Sequence, residues 1–204
     1  MIELKNISKK FGQHVLFENY NLIINDNEFV MITGNSGCGK TTLMNMMGSL
    51  EKIDSGEILV NGIDITKRKN QLKYLRDNVG FLFQNYGLVE NKTVKENLNI
   101  IGKKSRNHIS IENALQAVGL ADKINQYVYT LSGGEQQRVA LARLLYKKCD
   151  IIFADEPTGS LDKNNAIQVM EILKKFNQQG KTIIMVTHDI SLVSYATKTI
   201  ELLK

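Results

Sequence analysis

The 204-residue chain has no tryptophan, one proline (Pro157) and two cysteines. With so little proline and no Gly/Ser-rich tract, it offers no obvious linker, and no internal repeat divides it. Cys38 and Cys149 lie outside any Cys-x-x-Cys or Cys/His cluster. That spacing excludes a disulfide scaffold and argues against zinc. Apolar runs reach only about five residues, far short of the roughly 18 that span a bilayer. The N-terminal MIELKNISKKFG lacks a basic start followed by an apolar stretch, so no secretory signal is expected and the cytoplasm is the expected compartment. The net charge of +5 comes without an arginine-rich run or interleaved aromatics, and nucleic acid is not an expected partner.

What is present is enough for a full core: 43% of residues are hydrophobic. Ile2, Leu4 and Ile7, then Val15–Phe17 and Leu22–Ile24, predict short strands. Glu57–Val60 predicts another, running into an Asn61-Gly62 turn. Four continuous apolar runs stand apart: Phe29–Thr33, Val79–Phe83, Ile151–Ala154 and Thr182–Thr187. Such runs suit strands buried on both faces, the habit of parallel sheets. They end at Gly34, Gln84, Asp155 and His188, and the carboxyl edge of a parallel sheet is where ligands bind. Ile111–Val118 and Val139–Tyr146 carry helical apolar faces, which places a helical lobe over about residues 86 to 135.

Gly34-x-x-x-x-Gly39-Lys40-Thr41 fits the phosphate-binding loop pattern. Its glycines let successive backbone N–H groups turn toward one anion, and a following helix adds its positive end. Leu43, Met44, Met46, Met47 and Leu50 predict that helix. Lys40 would reach the β- and γ-phosphates, and the Thr41 hydroxyl would ligate Mg²⁺. Asp155, ending a buried strand beside the loop, would hold the metal directly or through water; Glu156 would polarise the attacking water. His188 and Gln84 end strands at the same edge, where Gln84 would sense metal and water.

Leu131-Ser-Gly-Gly-Glu-Gln-Gln-Arg138 contains a Ser132/Glu135 capping box ahead of an apolar helix face. Gly133 and Gly134 in the first turn cost helix propensity, about 1 kcal/mol each. Bare backbone beside a serine at a positive helix end suggests a second anion site. Two such helix tips meet on one triphosphate most economically when each comes from a different copy of the chain.

In order along the chain, these motifs resemble the ATP-binding-cassette (ABC) ATPases. Gly34, Asn35, Ser36, Gly37, Cys38, Gly39, Lys40, Thr41 and Thr42 match Walker A, Gln84 the Q-loop, and Leu131–Arg138 the signature. Ile151–Asp155 is similar to Walker B, Glu156 to the catalytic glutamate, Ser160-Leu161-Asp162 to the D-loop and His188 to the switch histidine. Phe11 matches the aromatic that stacks on adenine. The resemblance implies an α/β fold: a P-loop, mostly parallel core with an N-terminal antiparallel β-subdomain (1–85 and 149–204) and an inserted helical subdomain (about 86–148). It implies catalysis by Glu156, His188 and Gln84, and Mg²⁺ held by Thr41, Gln84 and Asp155. It further implies ATP gripped between one chain's Lys40 loop and the partner copy's Ser132, Gly133, Gly134 and Glu135, with the pair docked on a membrane-spanning permease at the inner face of the cell membrane. Phe81–Val89 and Thr93–Asn97 resemble the lipoprotein-release, macrolide-export and bacteriocin-export group, and with so short a stretch after His188 a sugar-importer regulatory tail is not expected. A soluble single cassette serving an assembly process, such as iron–sulfur cluster biogenesis, fits the same motifs, as does an ATP-sensing module without turnover.

Overall fold

The computed structural model describes residues 1–202. Strands β1 (Ile2–Phe11), β2 (His14–Ile24) and β3 (Phe29–Gly34) lead into helix α1 (Lys40–Met47). β4 (Ser55–Val60) and β5 (Ile63–Asp64) precede α2 (Arg68–Asp77) and β6 (Val79–Leu82). Three helices follow, α3 (Val94–Asn99), α4 (Ile111–Ala117) and α5 (Gly133–Tyr146). The chain then runs through β7 (Ile151–Asp155), α6 (Lys163–Gln178), β8 (Thr182–Val186) and β9 (Lys198–Leu202).

Two sheets result. An antiparallel sheet has the order β2-β1-β4-β5, and a parallel sheet the order β6-β7-β8-β3-β9. The continuous apolar runs form four of the five parallel strands, and their alternation feeds two separate cores. Phe29, Met31, Ile152, Ala154, Ile183 and Met185 face a cluster shared with α4, α5 and α6. Val30, Ile32, Ile151, Phe153, Ile184 and Val186 face a second cluster shared with α1 and the antiparallel sheet. A period of two on a strand covered on both sides therefore leaves no polar position, which is why these runs show no polar alternation.

Asn61 and Gly62 both have positive φ, 50° and 76°, as a two-residue hairpin between β4 and β5 requires. Elsewhere the structure redraws several expectations. Val15–Phe17 and Leu22–Ile24 belong to one strand of eleven residues. Leu50 is not on α1, which stops at Met47 with Gly48 as its cap; Leu50 is exposed. The Val79–Phe83 strand ends at Leu82, and the Ile111–Val118 helix at Ala117. α2 was not anticipated because Tyr74 is its one fully buried side chain, so no apolar stripe marks it. α6 does carry a stripe (Val169, Met170, Leu173 and Phe176) and begins on an Asp162 cap. Among the described residues no helix is long and apolar enough to cross a membrane.

Candidate functional site

The topology puts the carboxyl ends of β6, β7, β8 and β3 along one edge. From β3 the chain enters the Gly34–Thr41 loop. Gly34 has φ 139°, and a Cβ there would lie 2.5 Å from the Leu202 carbonyl oxygen, so no other residue fits. Gly39 caps α1 in the left-handed region at φ 103° and offers no side-chain hydrogen bond to the helix start. The first N–H groups of α1 are therefore left without a side-chain cap, as an anion site requires. Lys40 is nearly buried and donates Nζ–H to the carbonyls of Gly34 (2.8 Å) and Asn35 (2.9 Å), folded across its own loop.

A cleft over this loop is lined by Phe11, Ser36, Gly37, Gly39, Lys40, Thr41 and Thr42, together with Glu156 from the end of β7. The ring of Phe11 is half exposed, with the Lys9 ammonium 4.7 Å from its centroid. Lys9 itself is buried and held by Glu51 Oε1 at 2.5 Å and by the Lys52 carbonyl at 2.8 Å. One face of the aromatic is thus backed by a fixed cation. Neither Lys9 nor its acidic partners carries a sequence signal.

Thr41 Oγ1 donates to Asp155 Oδ1 at 3.1 Å, so the loop hydroxyl and the strand-end carboxylate already meet. Burial raises the Asp155 pKa, opposed by the Thr41 hydrogen bond and by Lys40. A half-buried carboxylate beside a hydroxyl is an oxygen pair that gains from a hard dication, and on that ground these residues fit Mg²⁺. Glu156 has φ 44°, a left-handed conformation uncommon for a residue with a side chain. Its N–H is anchored on Val186 O at 3.0 Å. Oε1 lies 2.9 Å from His188 Nδ1, and Oε2 is buried without a partner among the described residues. Strain and an orphaned acceptor coincide at the carboxylate that the sequence led us to expect beside the attacking water. Glu156 also borders a second cleft with His188, Asp189, Gly159 and Leu161. Gln84 shares a third with Asp155, Tyr86 and Ser160. Asp162 serves as the N-cap of α6, accepting from Asn165 N–H at 3.0 Å.

The capping box at α5 forms as expected. Ser132 Oγ accepts from Glu135 N–H at 3.3 Å, and Glu135 Oε2 accepts from Ser132 N–H at 2.8 Å. That backbone bond is the main reason the Glu135 carboxyl titrates below its ordinary range. The glycine pair has neighbours the sequence did not show. A Cβ on Gly133 would lie 2.7 Å from the Tyr86 hydroxyl, and one on Gly134 would lie 2.3 Å from Asn165 Oδ1. A side chain at either position would have to displace Tyr86 or Asn165, so intrachain packing favours glycine here alongside any anion-binding role. None of Ser132–Glu135 lines the cleft over Lys40.

Cys38 turns its side chain away from the loop surface. Its side chain is 4% exposed and packs in the core beside Leu43 and Ile32 rather than toward the cleft, so only its backbone belongs to the loop surface. A thiol facing the cleft would be alkylated readily unless ATP shielded it. A buried one is expected to react with N-ethylmaleimide at least about 10-fold more slowly than an unfolded control, with or without ATP. Mass spectrometry of timed samples checks this, and rapid labelling suppressed by ATP would contradict the burial.

A parallel sheet with a glycine loop after one strand and two carboxylates ending its neighbour but one defines a P-loop nucleoside triphosphatase. The family model described as ABC transporter matches residues 17–159. The uncharacterized ABC transporter ATP-binding protein MJ1508 of Methanocaldococcus jannaschii is 43% identical over 213 residues, covering 99% of this chain and 95% of the relative. The macrolide export ATP-binding/permease protein MacB of Campylobacter jejuni is 41% identical over 212 residues, covering 99% of this chain but 33% of MacB. Among solved structures, the dimeric post-hydrolysis state of the cassette MJ0796 bound to ADP and Pi superposes with a TM-score of 0.84 at 36% identity, covering 99% of this chain and 94% of the other. The chain belongs to the ABC transporter family and is an ATPase cassette of that family.

Proposed function

We propose that the chain hydrolyses Mg²⁺-ATP as the nucleotide-binding part of an export-type ABC transporter, paired head to tail with a second copy. The carrying observation is the meeting of Thr41, Asp155, Glu156 and His188 at one sheet edge beside the Gly34–Thr41 loop. In this reading the loop amides and Lys40 hold the phosphates, Lys40 exchanging its two carbonyl partners for phosphate oxygens. Phe11, backed by Lys9, stacks on the base. Thr41, Asp155 and Gln84 hold the metal. Mg²⁺, when bound, neutralises charge on the phosphates. Glu156 takes the proton of the attacking water, and His188 orients Glu156 through the 2.9 Å contact. Ser132–Glu135 would serve the partner's ATP, with Ser160–Asp162 alongside.

Export and a permease partner are supported by the MacB relatives, whose name joins ATP-binding and permease functions in one protein of which this chain matches a third. Residues 86–148 would form the lobe that meets the permease, holding the cassette at the cytoplasmic face of the membrane. Phosphate release by the purified chain tests the core of this reading. Turnover with ATP is expected to fall to background in EDTA and to return with added Mg²⁺. Metal-independent turnover, or saturable ATP binding with no phosphate release in Mg²⁺, would refute it.

A further inference from the structure

One side chain without an assigned role sits in the Gln84 segment and touches two others, the Ser160 loop and the tip of α5. Tyr86, two residues after Gln84, has φ 63°, and Gly87 follows at 58°. A bulky residue does not rest in the left-handed region unless its surroundings fix it there. Arg143, on α5, supplies the fixing. It donates Nη1–H to Gly87 O at 2.5 Å and Nη2–H to Tyr86 O at 3.1 Å. Burial lowers the pKa of this guanidinium, yet both of its partners here are backbone carbonyls rather than a carboxylate. An arginine fork thus serves to hold two successive peptide units. The pinned backbone places the Tyr86 hydroxyl 3.2 Å from Ser160 Oγ. The same oxygen fills the space of the missing side chain at Gly133, 2.7 Å from where a Cβ would stand.

We propose that Tyr86 is a positioning residue that registers the Gln84 segment, the Ser160 loop and the tip of α5 against one another, its hydroxyl setting the spacing. This rests on the reading above, in which those three segments serve ATP turnover. The Gly34–Thr41 loop is not among them, so Tyr86 acts on turnover and not on first capture of ATP.

Tyr86→Phe removes the bond to Ser160 and keeps the ring. It is expected to lower kcat about fivefold, the size of one ordinary hydrogen bond, with KM and ATP affinity within about twofold of the parent. Ser160→Ala should give the same loss, and the double variant no further loss, because both remove one bond. A purely structural defect would move KM and kcat together. Multiplying losses in the double variant, or a fall in ATP affinity matching the fall in kcat, would overturn the proposal. A second cycle needs no turnover. Gly133→Ala should lower Tm in the parent and lower it much less in the Tyr86→Phe background, where the clashing oxygen is gone. Equal Tm losses in both backgrounds would overturn the register even in an active enzyme. Absent turnover in the parent, with the Tm cycle as expected, would instead sink the reading of function and leave the register standing.

Discussion

Glu156→Gln is expected to cut ATP turnover at least about 100-fold while leaving ATP affinity within about threefold. The substitution preserves shape and the contact with His188 but removes the charge and the proton acceptor. Among the described residues Oε2 is buried with no protein partner and Oε1 meets His188, so the second oxygen is the one left to meet a water. The left-handed backbone at Glu156 belongs to the same design, because the side chain leaves the strand line and borders the Lys40 cleft and the His188 cleft together. Phosphate release at saturating ATP, with binding of a labelled nucleotide measured in parallel, checks both halves. Turnover at the parent rate would remove Glu156 from the role of base.

Asp155→Asn is expected to lower activity by a similar factor of about 100 while raising the thermal stability of the nucleotide-free chain by a few degrees. Asparagine keeps the acceptor for the Thr41 hydroxyl at 3.1 Å but offers a hard cation one neutral oxygen in place of a carboxylate. The stability half follows from sign. Burial raises the folded-state pKa of Asp155 above its unfolded value, so ionised Asp155 costs folding free energy. That cost is absent below the unfolded pKa and complete above the folded one. The stability gain of the variant should therefore be larger at pH 7 than at about pH 4. Scanning calorimetry at both pH values reads it. A variant that is less stable than the parent at neutral pH would show that Asp155 is held by more than Thr41 and Lys40.

How far the sequence could carry this account differs by element. The four apolar runs announced the parallel sheet because burial on both faces leaves no polar position to confuse the pattern. The edge was legible for the same reason, since each run had to end where water begins. Gly34–Thr41 and Ser132/Glu135 were legible because glycine loops and capping boxes are local chemistry. Contacts between distant segments were not. Nothing in one dimension says that Lys9 lies under Phe11, that Arg143 in a helix face grips Tyr86 and Gly87, or that Asn165 fills the space beside Gly134. For Gly133 and Gly134 the sequence showed the cost of glycine but not that Tyr86 and Asn165 lie against them. Arg143 did leave a trace, as a charge inside the apolar stretch from Val139 to Tyr146. Cys38 left none, because whether a loop side chain faces in or out depends on turns that only glycine φ values set.

The central claim is that the edge of one sheet is half a site and that a second copy completes it. The direct measurement is the mass of the Glu156→Gln variant in solution, by light scattering, with and without ATP. The account predicts a species of twice the chain mass that appears only with ATP and holds one nucleotide per chain. An ATP-loaded variant that stays monomeric at the highest soluble concentration would contradict it.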